Sequence, residues 1–425
     1  MKSVLILAND FPPKNSVGAE RPYSWYKYFK KQGVKPIVIT KNWNIDFLNN
    51  INDFELDFTE IFQAPISNDR SSKLLRKYGK EKFSFLRKIF TVLYHYCQYF
   101  LPVGIHYSLY QEANQYLNNN KVDFIIATGE PFILFKYASK LSRKHNVNWL
   151  ADYRDDWIQN HGRTYNNNIF TKAFMLYDRF WEKKYLKNVF GITSVSDYLV
   201  NQISRRNSKI KCETIENGVD LDVFNNTITP FKANEFSIVY SGVLYDQDYL
   251  SDFSKGFTNF ISILNATEKV HVYFIGIEVL VNQATKAVEL LKLKFPNNVH
   301  VLPKMSQKKV ANYQINANIL LNFIAGDPSK GLIGAKSYVY AATKKPILTI
   351  PSIKNSNSPF FPGRKIQYVA TSSVDVENFI REIYIEFSNG IIRKSDITEQ
   401  EIFMLSREFN ANKMINFIFN YANQM

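Results

Sequence analysis

Cysteine is scarce in this chain, and long uninterrupted apolar runs are missing. The 425 residues include two cysteines, Cys97 and Cys212, which cannot form a disulfide framework and favour a reducing compartment. No stretch approaches the roughly 18 apolar residues that a membrane-spanning helix needs. The apolar run at 4–8 ends at Asn9-Asp10 and is shorter than the core of a secretory signal peptide. We therefore expect a cytoplasmic protein.

Metal-binding and common nucleophile motifs are also missing. The six histidines show no i, i+4 pair, and the two cysteines lie far apart in the sequence, so we predict no metal site and no cofactor. The acid pairs Asp220/Asp222 and Asp246/Asp248 are more typical of turns and helix caps. The chain has neither a Gly-Lys-Ser/Thr phosphate loop nor a Gly-x-Ser-x-Gly elbow, which excludes the hydrolases and kinases that depend on them.

Positive charge and apolar residues are abundant. Lys and Arg number 53 against 38 Asp and Glu, a net charge of +15. Such an excess suits acidic partners: anionic lipid, phosphorylated substrates or nucleic acid. The hydrophobic fraction of 45% supports packed cores, and the length exceeds the roughly 250–300 residues of one core. No nucleic-acid-binding module is recognisable, so we predict no nucleic acid partner.

Short apolar runs alternate with longer amphipathic segments along the whole chain, a pattern typical of βα units. We predict strands at 3–8, 35–40, 122–128, 147–152, 189–193, 236–241, 270–275, 299–302, 319–323 and 346–350. Helices are predicted at 20–32, 132–145, 172–187, 252–265 and 282–294. Continuous Val/Ile/Leu runs indicate parallel strands that are covered by helices on both faces.

The expected fold class is therefore α/β, with two tandem doubly wound Rossmann-like domains. We place the first at 1–215, a linker at 216–235, the second at 236–395 and a C-terminal helical segment at 396–425. Ligands of open parallel sheets bind outside the carboxyl ends of the strands. Two such domains would face each other across a substrate cleft.

A basic segment at 70–88 interrupts the alternation. Its lysines and arginines accompany apolar residues at near-helical spacing from Leu75 to Phe100. A basic helix with an apolar face suits adsorption to an anionic membrane, although it is equally compatible with packing on the first domain. The residues expected on the membrane or acceptor surface are Lys73, Arg76, Lys77, Lys80, Arg87 and Lys88.

Two segments at predicted strand ends have chemically useful residues. The loop after the first strand leads through Gly18 into a helix, which lets backbone N–H groups approach a phosphate. The fourth strand ends in Asp152-Tyr153-Arg154-Asp155-Asp156, and clustered charge at such an end is typical of α/β active sites, with an ion-pair network as the alternative.

In order along the chain, these segments resemble the retaining GT-B glycosyltransferases of family four, particularly the bacterial surface-polysaccharide type. The matching segments are the Pro12-Pro13 loop with Gly18-Ala19, Thr128–Pro131, Asp152–Trp157, Asn217–Asp220, Tyr240–Tyr245, Lys330-Gly331 through Lys336, and Lys345–Leu348. The resemblance implies a nucleotide-sugar donor held by the C-terminal domain, an acceptor held by the N-terminal domain, and no requirement for a metal. It also implies that a helix near 401–421 crosses back toward the N-terminal domain.

Roles follow from position and resemblance. We expect Asp155 to act on the acceptor side, oriented by Arg154 or Asp152, which are also placed to contact sugar hydroxyls. Backbone amides and ammonium groups are expected to neutralise the leaving diphosphate. The residues expected at the donor site are Gly18, Asn217, Gly242, Lys330, Gly331 and Lys336.

One departure from the family concerns the donor ribose. Relatives have two glutamates eight positions apart, and these positions are Gly331 and Val339 here. Neither has a side-chain acceptor for the ribose hydroxyls, so another residue such as Asp327 or Tyr340 holds the ribose, donor affinity is weak, or the chain has lost its chemistry.

The predicted function is transfer of a sugar, with retention, to a lipid-linked glycan acceptor in surface polysaccharide or glycan assembly. The protein would lie at the inner face of the cell membrane. The alternatives are a catalytically silent glycosyltransferase-like scaffold and a nucleotide-sugar epimerase of the same architecture.

Overall fold

The computed structural model describes residues 1–14, 16–42, 54–65, 70–79, 82–158, 169–245, 248–264, 269–324, 334–351 and 367–420. The chain divides into two compact units. The first contains Met1–Asn50, Phe54–Asn217 and Asn410–Met425, and the second contains Gly218–Phe409.

The first unit is built on a parallel sheet of seven strands within the described ranges, in the order β3-β2-β1-β4-β5-β6-β7. Its strands are β1 (Ser3–Leu7), β2 (Lys35–Lys41), β3 (Ile61–Ala64), β4 (Phe124–Gly129), β5 (Asn148–Tyr153), β6 (Gly191–Ser194) and β7 (Cys212–Thr214). Its helices are α1 (Val17–Lys31), α2 (Arg70–Tyr78), α3 (Ser84–Cys97), α4 (Tyr107–Asn119), α5 (Ile133–His145), α6 (Ile169–Tyr185) and α7 (Asp197–Arg206).

Successive residues of β1 enter different cores because strand side chains alternate between the two faces of a sheet. Leu5 and Leu7 belong to one buried cluster, whereas Val4 and Ile6 belong to another. The sheet is therefore covered on both faces, as continuous apolar strands predict.

The second unit has a parallel sheet of six strands in the described part of the chain, in the order β10-β9-β8-β11-β12-β13. Its strands are β8 (Phe236–Ser241), β9 (Val270–Ile275), β10 (Val299–Leu302), β11 (Ile319–Ile324), β12 (Ile347–Pro351) and β13 (Gln367–Val369). Its helices are α8 (Asp248–Ser262), α9 (Gln283–Lys294), α10 (Gln307–Asn316), α11 (Ala335–Ala342), α12 (Ser373–Ser388) and α13 (Glu399–Met404).

The last helix, α14 (Arg407–Phe419), contributes to the core of the first unit. Met414, Phe417 and Ile418 are buried in the cluster that also contains Val4 and Ile6 of β1. Hydrophobic burial thus joins the C-terminal segment to the N-terminal sheet.

The α/β prediction with two doubly wound parallel sheets is confirmed. The edge strands β3, β7 and β13 were not predicted because each is only three or four residues long and lacks a continuous apolar run. The basic segment forms two helices, α2 and the start of α3, where the sequence suggested one. Gly79 lies between them with φ +77°, a left-handed conformation that ends a helix.

Candidate functional site

The first turn of α1 is held to the carboxyl end of β5 by a buried ion pair. Arg21 on α1 donates from Nε and Nη2 to the two carboxylate oxygens of Asp152, at 3.0 and 2.6 Å. The two side chains are 3% and 0% exposed, and Thr193 Oγ1 also donates to Asp152, at 2.7 Å. Buried charges need such partners, so Asp152 orients α1.

Arg154 makes a second connection between the same two elements. Its guanidinium donates to the carbonyl oxygens of Gly18, Gly129 and Glu130, at 3.0, 2.7 and 2.9 Å. A Cβ added at Gly18 would lie 2.5 Å from Nη1 of Arg154. A side chain at position 18 would therefore displace the Arg154 guanidinium from its present position, and the structure brings Gly18 and Arg154 into contact.

The three aspartates at the carboxyl end of β5 have different surroundings. Asp156 is buried and accepts from Nη1 and Nη2 of Arg206 at 2.8 and 2.9 Å, and from the backbone N–H of Ile158. Both carboxylate oxygens of Asp152 accept hydrogen bonds from Arg21. Asp155 is half-buried and makes no hydrogen bond or ion pair with the part of the chain that the structure describes. Its carboxylate is the one of the three that is available to a ligand.

A buried network lies behind these residues. Tyr153 on β5 donates its hydroxyl to Glu182 Oε1 at 3.0 Å, and Arg206 lies 3.5 Å from the same oxygen. Burial raises the pKa of Glu182, against the opposing effect of Arg206. The network fixes β5 from the interior, and sequence reasoning did not identify Glu182 or Arg206 because both are distant in sequence.

Arg21 also reaches the end of the first unit. Its Nη1 donates to the carbonyl oxygen of Glu216 at 3.2 Å and lies 3.5 Å from Oδ1 of Asn217. Asn217, predicted at the donor site, is therefore positioned by Arg21. The sequence offered one signal for this role, an arginine three residues after Gly18 at the start of a helix.

In the second unit, the structure brings two predicted donor-site residues into contact. Gly242 follows β8 with φ +105°, and a Cβ added there would lie 2.8 Å from Cε of Lys336, in the first turn of α11. Lys336 thus extends over the turn at the carboxyl end of β8, the edge at which open parallel sheets bind ligands.

Within the described residues, the ammonium group of Lys336 contacts uncharged groups. Its Nζ donates to the Tyr240 hydroxyl at 2.7 Å and lies 4.1 Å from the centre of the Tyr240 ring. No carboxylate in the described part of this unit pairs with Lys336. Burial lowers the pKa of Lys336 to about 7. An anionic ligand would supply the missing counter-charge.

Tyr340 is buried on α11, and its neighbour Val339 is half-buried. The Tyr340 ring is fully buried, and its hydroxyl accepts from the backbone N–H of Ser241 at 3.3 Å. Gln314 donates to the Ser241 hydroxyl at 2.9 Å. Val339 packs against the core of the same unit. Neither α11 residue presents a surface acceptor for a ribose hydroxyl. Three other residues named in the sequence analysis, Lys330, Gly331 and Asp327, lie outside the described residues.

The α2–α3 surface exposes an unusual amount of apolar area. No residue of α3 is buried, and Phe85, Val92 and Leu93 are 73%, 54% and 51% exposed. Further exposed apolar residues there are Leu75, Tyr78, Phe83, Leu86, Ile89, Phe100 and Leu101.

The predicted basic residues accompany this apolar area. Lys73, Lys77 and Lys88 are exposed and Arg87 is half-buried. Arg76 belongs to α2 but its side chain lies outside the described residues, and so does Lys80 as a whole. Exposed apolar patches of this extent mark interaction sites.

The carboxyl end of α3 is anchored to the first unit. Buried Lys136 donates to the carbonyl oxygens of Gln98 and Leu101, and Tyr177 on α6 donates to that of Tyr96 at 2.6 Å. Burial lowers the pKa of Lys136 to about 8. The α2–α3 surface is thereby fixed at one end while the rest of α3 stays exposed.

No helix in the described ranges is long and apolar enough to cross a membrane. No group of three or more His, Cys, Asp or Glu side chains there is arranged to hold a metal ion.

Comparisons with known proteins identify the fold alone. No family model and no curated protein matches the sequence. Sucrose-phosphate synthase from Thermosynechococcus elongatus aligns over 100% of both chains, with a TM-score of 0.61 and 11% identity. A glycosyltransferase from Rickettsia africae covers 99% of both chains, with a TM-score of 0.59 and 15% identity. The Anabaena protein HepE, solved in complex with UDP, covers 100% of both chains, with a TM-score of 0.60 and 11% identity. The chain therefore has the two-sheet α/β fold of the GT-B glycosyltransferases.

Proposed function

We propose that the protein is a glycosyltransferase that moves a sugar from a nucleotide-sugar donor to a lipid-linked glycan acceptor with retention. The observation that carries the proposal is Lys336, an ammonium group without a carboxylate partner in the described part of its unit, held over the Gly242 turn. This residue lies at the ligand-binding edge of the sheet in a GT-B fold. The structurally similar protein HepE was solved with UDP and with UDP-glucose, which supports a nucleotide-sugar donor.

The donor chemistry requires stabilisation of a leaving diphosphate. As the bond between the anomeric carbon and the diphosphate oxygen breaks, negative charge grows on the phosphates. The Lys336 ammonium neutralises part of this charge, and the positive end of the α11 helix dipole adds a field of the same sign. We infer that no divalent metal is required, in keeping with the family resemblance.

Asp155 is the acceptor-side group in this proposal. Asp152 and Asp156 are buried in ion pairs. Asp155 is half-buried and has no hydrogen-bond or ion-pair partner among the described residues. Its carboxylate accepts the proton of the attacking hydroxyl as the new glycosidic bond forms, or stabilises positive charge on the sugar ring. Retention places this attack on the face from which the diphosphate leaves.

The proposed acceptor is lipid-linked because the α2–α3 surface combines exposed aromatic and aliphatic side chains with exposed lysines. Each cation near an anionic bilayer adds about 1 kcal/mol of attraction, and the apolar side chains add burial. Such adsorption at the inner face of the cell membrane would bring the acceptor side of the protein to lipid-bound glycans. A role in surface polysaccharide assembly follows from the same location.

A silent scaffold is the second candidate, and Val339 is the observation that favours it. Val339 packs on the core where relatives place a ribose-binding glutamate, and Tyr340 is buried. A scaffold would keep the fold and the α2–α3 surface but would release no nucleoside diphosphate.

The test is an assay of nucleoside diphosphate release from a panel of nucleotide sugars, with membrane extract as acceptor and EDTA present. The proposal expects release with one donor, its abolition in Lys336→Met, and retained anomeric configuration by proton NMR. No release with any donor would contradict the proposed transferase activity. Release only when a divalent metal replaces EDTA would contradict the proposed metal independence. Conversion of the donor sugar without acceptor would identify an epimerase.

A further inference from the structure

We propose that Tyr240 is a positioning residue that holds the Lys336 ammonium over the Gly242 turn, where it meets the diphosphate of the donor. This inference rests on the proposed function and adds a second residue to its donor site. Tyr240 is the penultimate residue of β8 and is 1% exposed. It begins one of the segments that resemble the family, but nothing in the sequence indicates a contact with Lys336.

The geometry gives the Tyr240 hydroxyl two partners with distinct roles. A protonated lysine has only donors, so in its charged form Lys336 donates from Nζ to the Tyr240 hydroxyl, at 2.7 Å. The same hydroxyl donates to the carbonyl oxygen of Val243, also at 2.7 Å. One oxygen therefore joins the lysine to the turn that follows β8.

The ring of Tyr240 contributes a second contact. Nζ lies 4.1 Å from the ring centre, within the range of a cation–π interaction. Because a Cβ at position 242 would lie 2.8 Å from Cε of Lys336, glycine there leaves space for the lysine to lie in this position. The hydroxyl, the ring and the missing Cβ together restrict the ammonium group to one location.

Removal of the hydroxyl has a specific electrostatic consequence. A hydrogen bond that the charged form donates favours that form, so Tyr240→Phe should lower the pKa of Lys336 below its value of about 7 while the ring contact remains. Among the described residues, no other charged or titratable group contacts Nζ of Lys336. A change in the pKa of Lys336 in this variant is therefore attributable to the Tyr240 hydroxyl.

The experiment measures UDP affinity from pH 5.5 to pH 8.5 for the wild type, Tyr240→Phe and the control Tyr273→Phe. Tyr273 lies on the neighbouring strand β9, and its hydroxyl donates to Glu235, so the control also removes one hydrogen-bonded tyrosine hydroxyl. If the pKa falls by one unit, Tyr240→Phe binds UDP about as well as the wild type at pH 5.5 and about tenfold more weakly at pH 8. Tyr273→Phe should follow the wild type throughout. Superimposable profiles of Tyr240→Phe and wild type would overturn the proposal.

A second measurement separates this inference from the proposed function. The Cε resonance of Lys336 in ¹³C-lysine-labelled full-length protein, assigned with Lys336→Arg, reports its pKa without any nucleotide. A lower pKa in Tyr240→Phe supports the Tyr240–Lys336 link, and an unchanged pKa overturns it. A wild type that binds no nucleotide would instead contradict the proposed function, whatever this titration gives.

Discussion

Gly18 and Arg154 fit together only because position 18 has no Cβ: an added carbon would lie 2.5 Å from Nη1 of Arg154. The same guanidinium donates to the Gly18 carbonyl oxygen at 3.0 Å. The first turn of α1 is thus fixed at the carboxyl end of β5: Gly18 leaves room for the guanidinium, and Arg154 donates the hydrogen bond. Arg21 and Asp152 fix the same turn from the interior.

A double-mutant cycle tests this relationship. We expect Gly18→Ala to lower the free energy of unfolding in the wild type and to have a smaller effect in an Arg154→Ala background, because the clashing atom is then absent. Residues in contact typically couple by about 0.5–3 kcal/mol. The measurement is urea unfolding of the four proteins, and additive effects of the two substitutions would show that the contact has no energetic role.

Asp155 and Asp156 should respond differently to the same chemical change. Asp155→Asn is expected to abolish most turnover and leave stability nearly unchanged, because its carboxylate has no partner within the described residues. Asp156→Asn removes the closer carboxylate partner of Arg206 in a largely buried ion pair and leaves Glu182 at 3.5 Å, so the loss of stability should approach the roughly 3–5 kcal/mol that breaking a buried pair costs. Thermal unfolding and product release, measured on both variants, check the contrast. A stable, fully active Asp155→Asn protein would refute the assigned role.

Vesicle binding should depend on the apolar residues of α3. Replacing Phe85, Val92 and Leu93 by Ser is expected to reduce co-sedimentation with phosphatidylglycerol-containing vesicles at least tenfold, since each loses the burial that insertion would provide. The fold should be unaffected because none of the three is buried.

The matched control for this experiment lies on α9 in the other unit. Leu290 and Leu293 are 67% and 77% exposed, so Leu290→Ser with Leu293→Ser removes comparable exposed apolar area elsewhere. Equal loss of binding in both sets would reject a specific α2–α3 surface. Unchanged binding of the α3 variant would reject the surface altogether.

Acid should destabilise the first unit through His106. Burial, assisted by the charge of Lys41, lowers the pKa of His106 to about 4 from 6.5. The unfolded chain therefore binds the proton more readily, and stability declines as pH falls from about 6.5 toward 4. Urea unfolding at pH 7.5 and pH 5 should show a smaller decline in His106→Gln than in the wild type. A decline of equal size in both proteins would assign the acid sensitivity to other groups.

Periodicity predicted the parallel sheets well because buried strands such as β1 and β4 are continuous apolar runs. It could not predict the break at Gly79, since near-helical spacing continues on both sides of it. The charged residues that the sequence placed at a strand end, Asp152 to Asp156, do lie at the carboxyl end of β5, the edge at which parallel sheets bind ligands; their catalytic role stays a prediction.

Assignment within those segments needed the structure. Asp152, Asp155 and Asp156 look equivalent in sequence, and only their partners distinguish two interior ion pairs from an available carboxylate. The Tyr240–Lys336 contact joins residues 96 positions apart, and no local pattern specifies which buried tyrosine hydroxyl meets which lysine.

The most direct test of the account is thermal unfolding of the wild type and Lys336→Met with UDP, GDP, ADP, dTDP and CMP. A ligand at about 100 times its dissociation constant stabilises a protein by about 2.7 kcal/mol. We expect stabilisation of the wild type by nucleoside diphosphates of one base, and little or none in Lys336→Met at the same concentration. No shift with any nucleotide, or an equal shift in both proteins, would contradict a donor site built around Lys336.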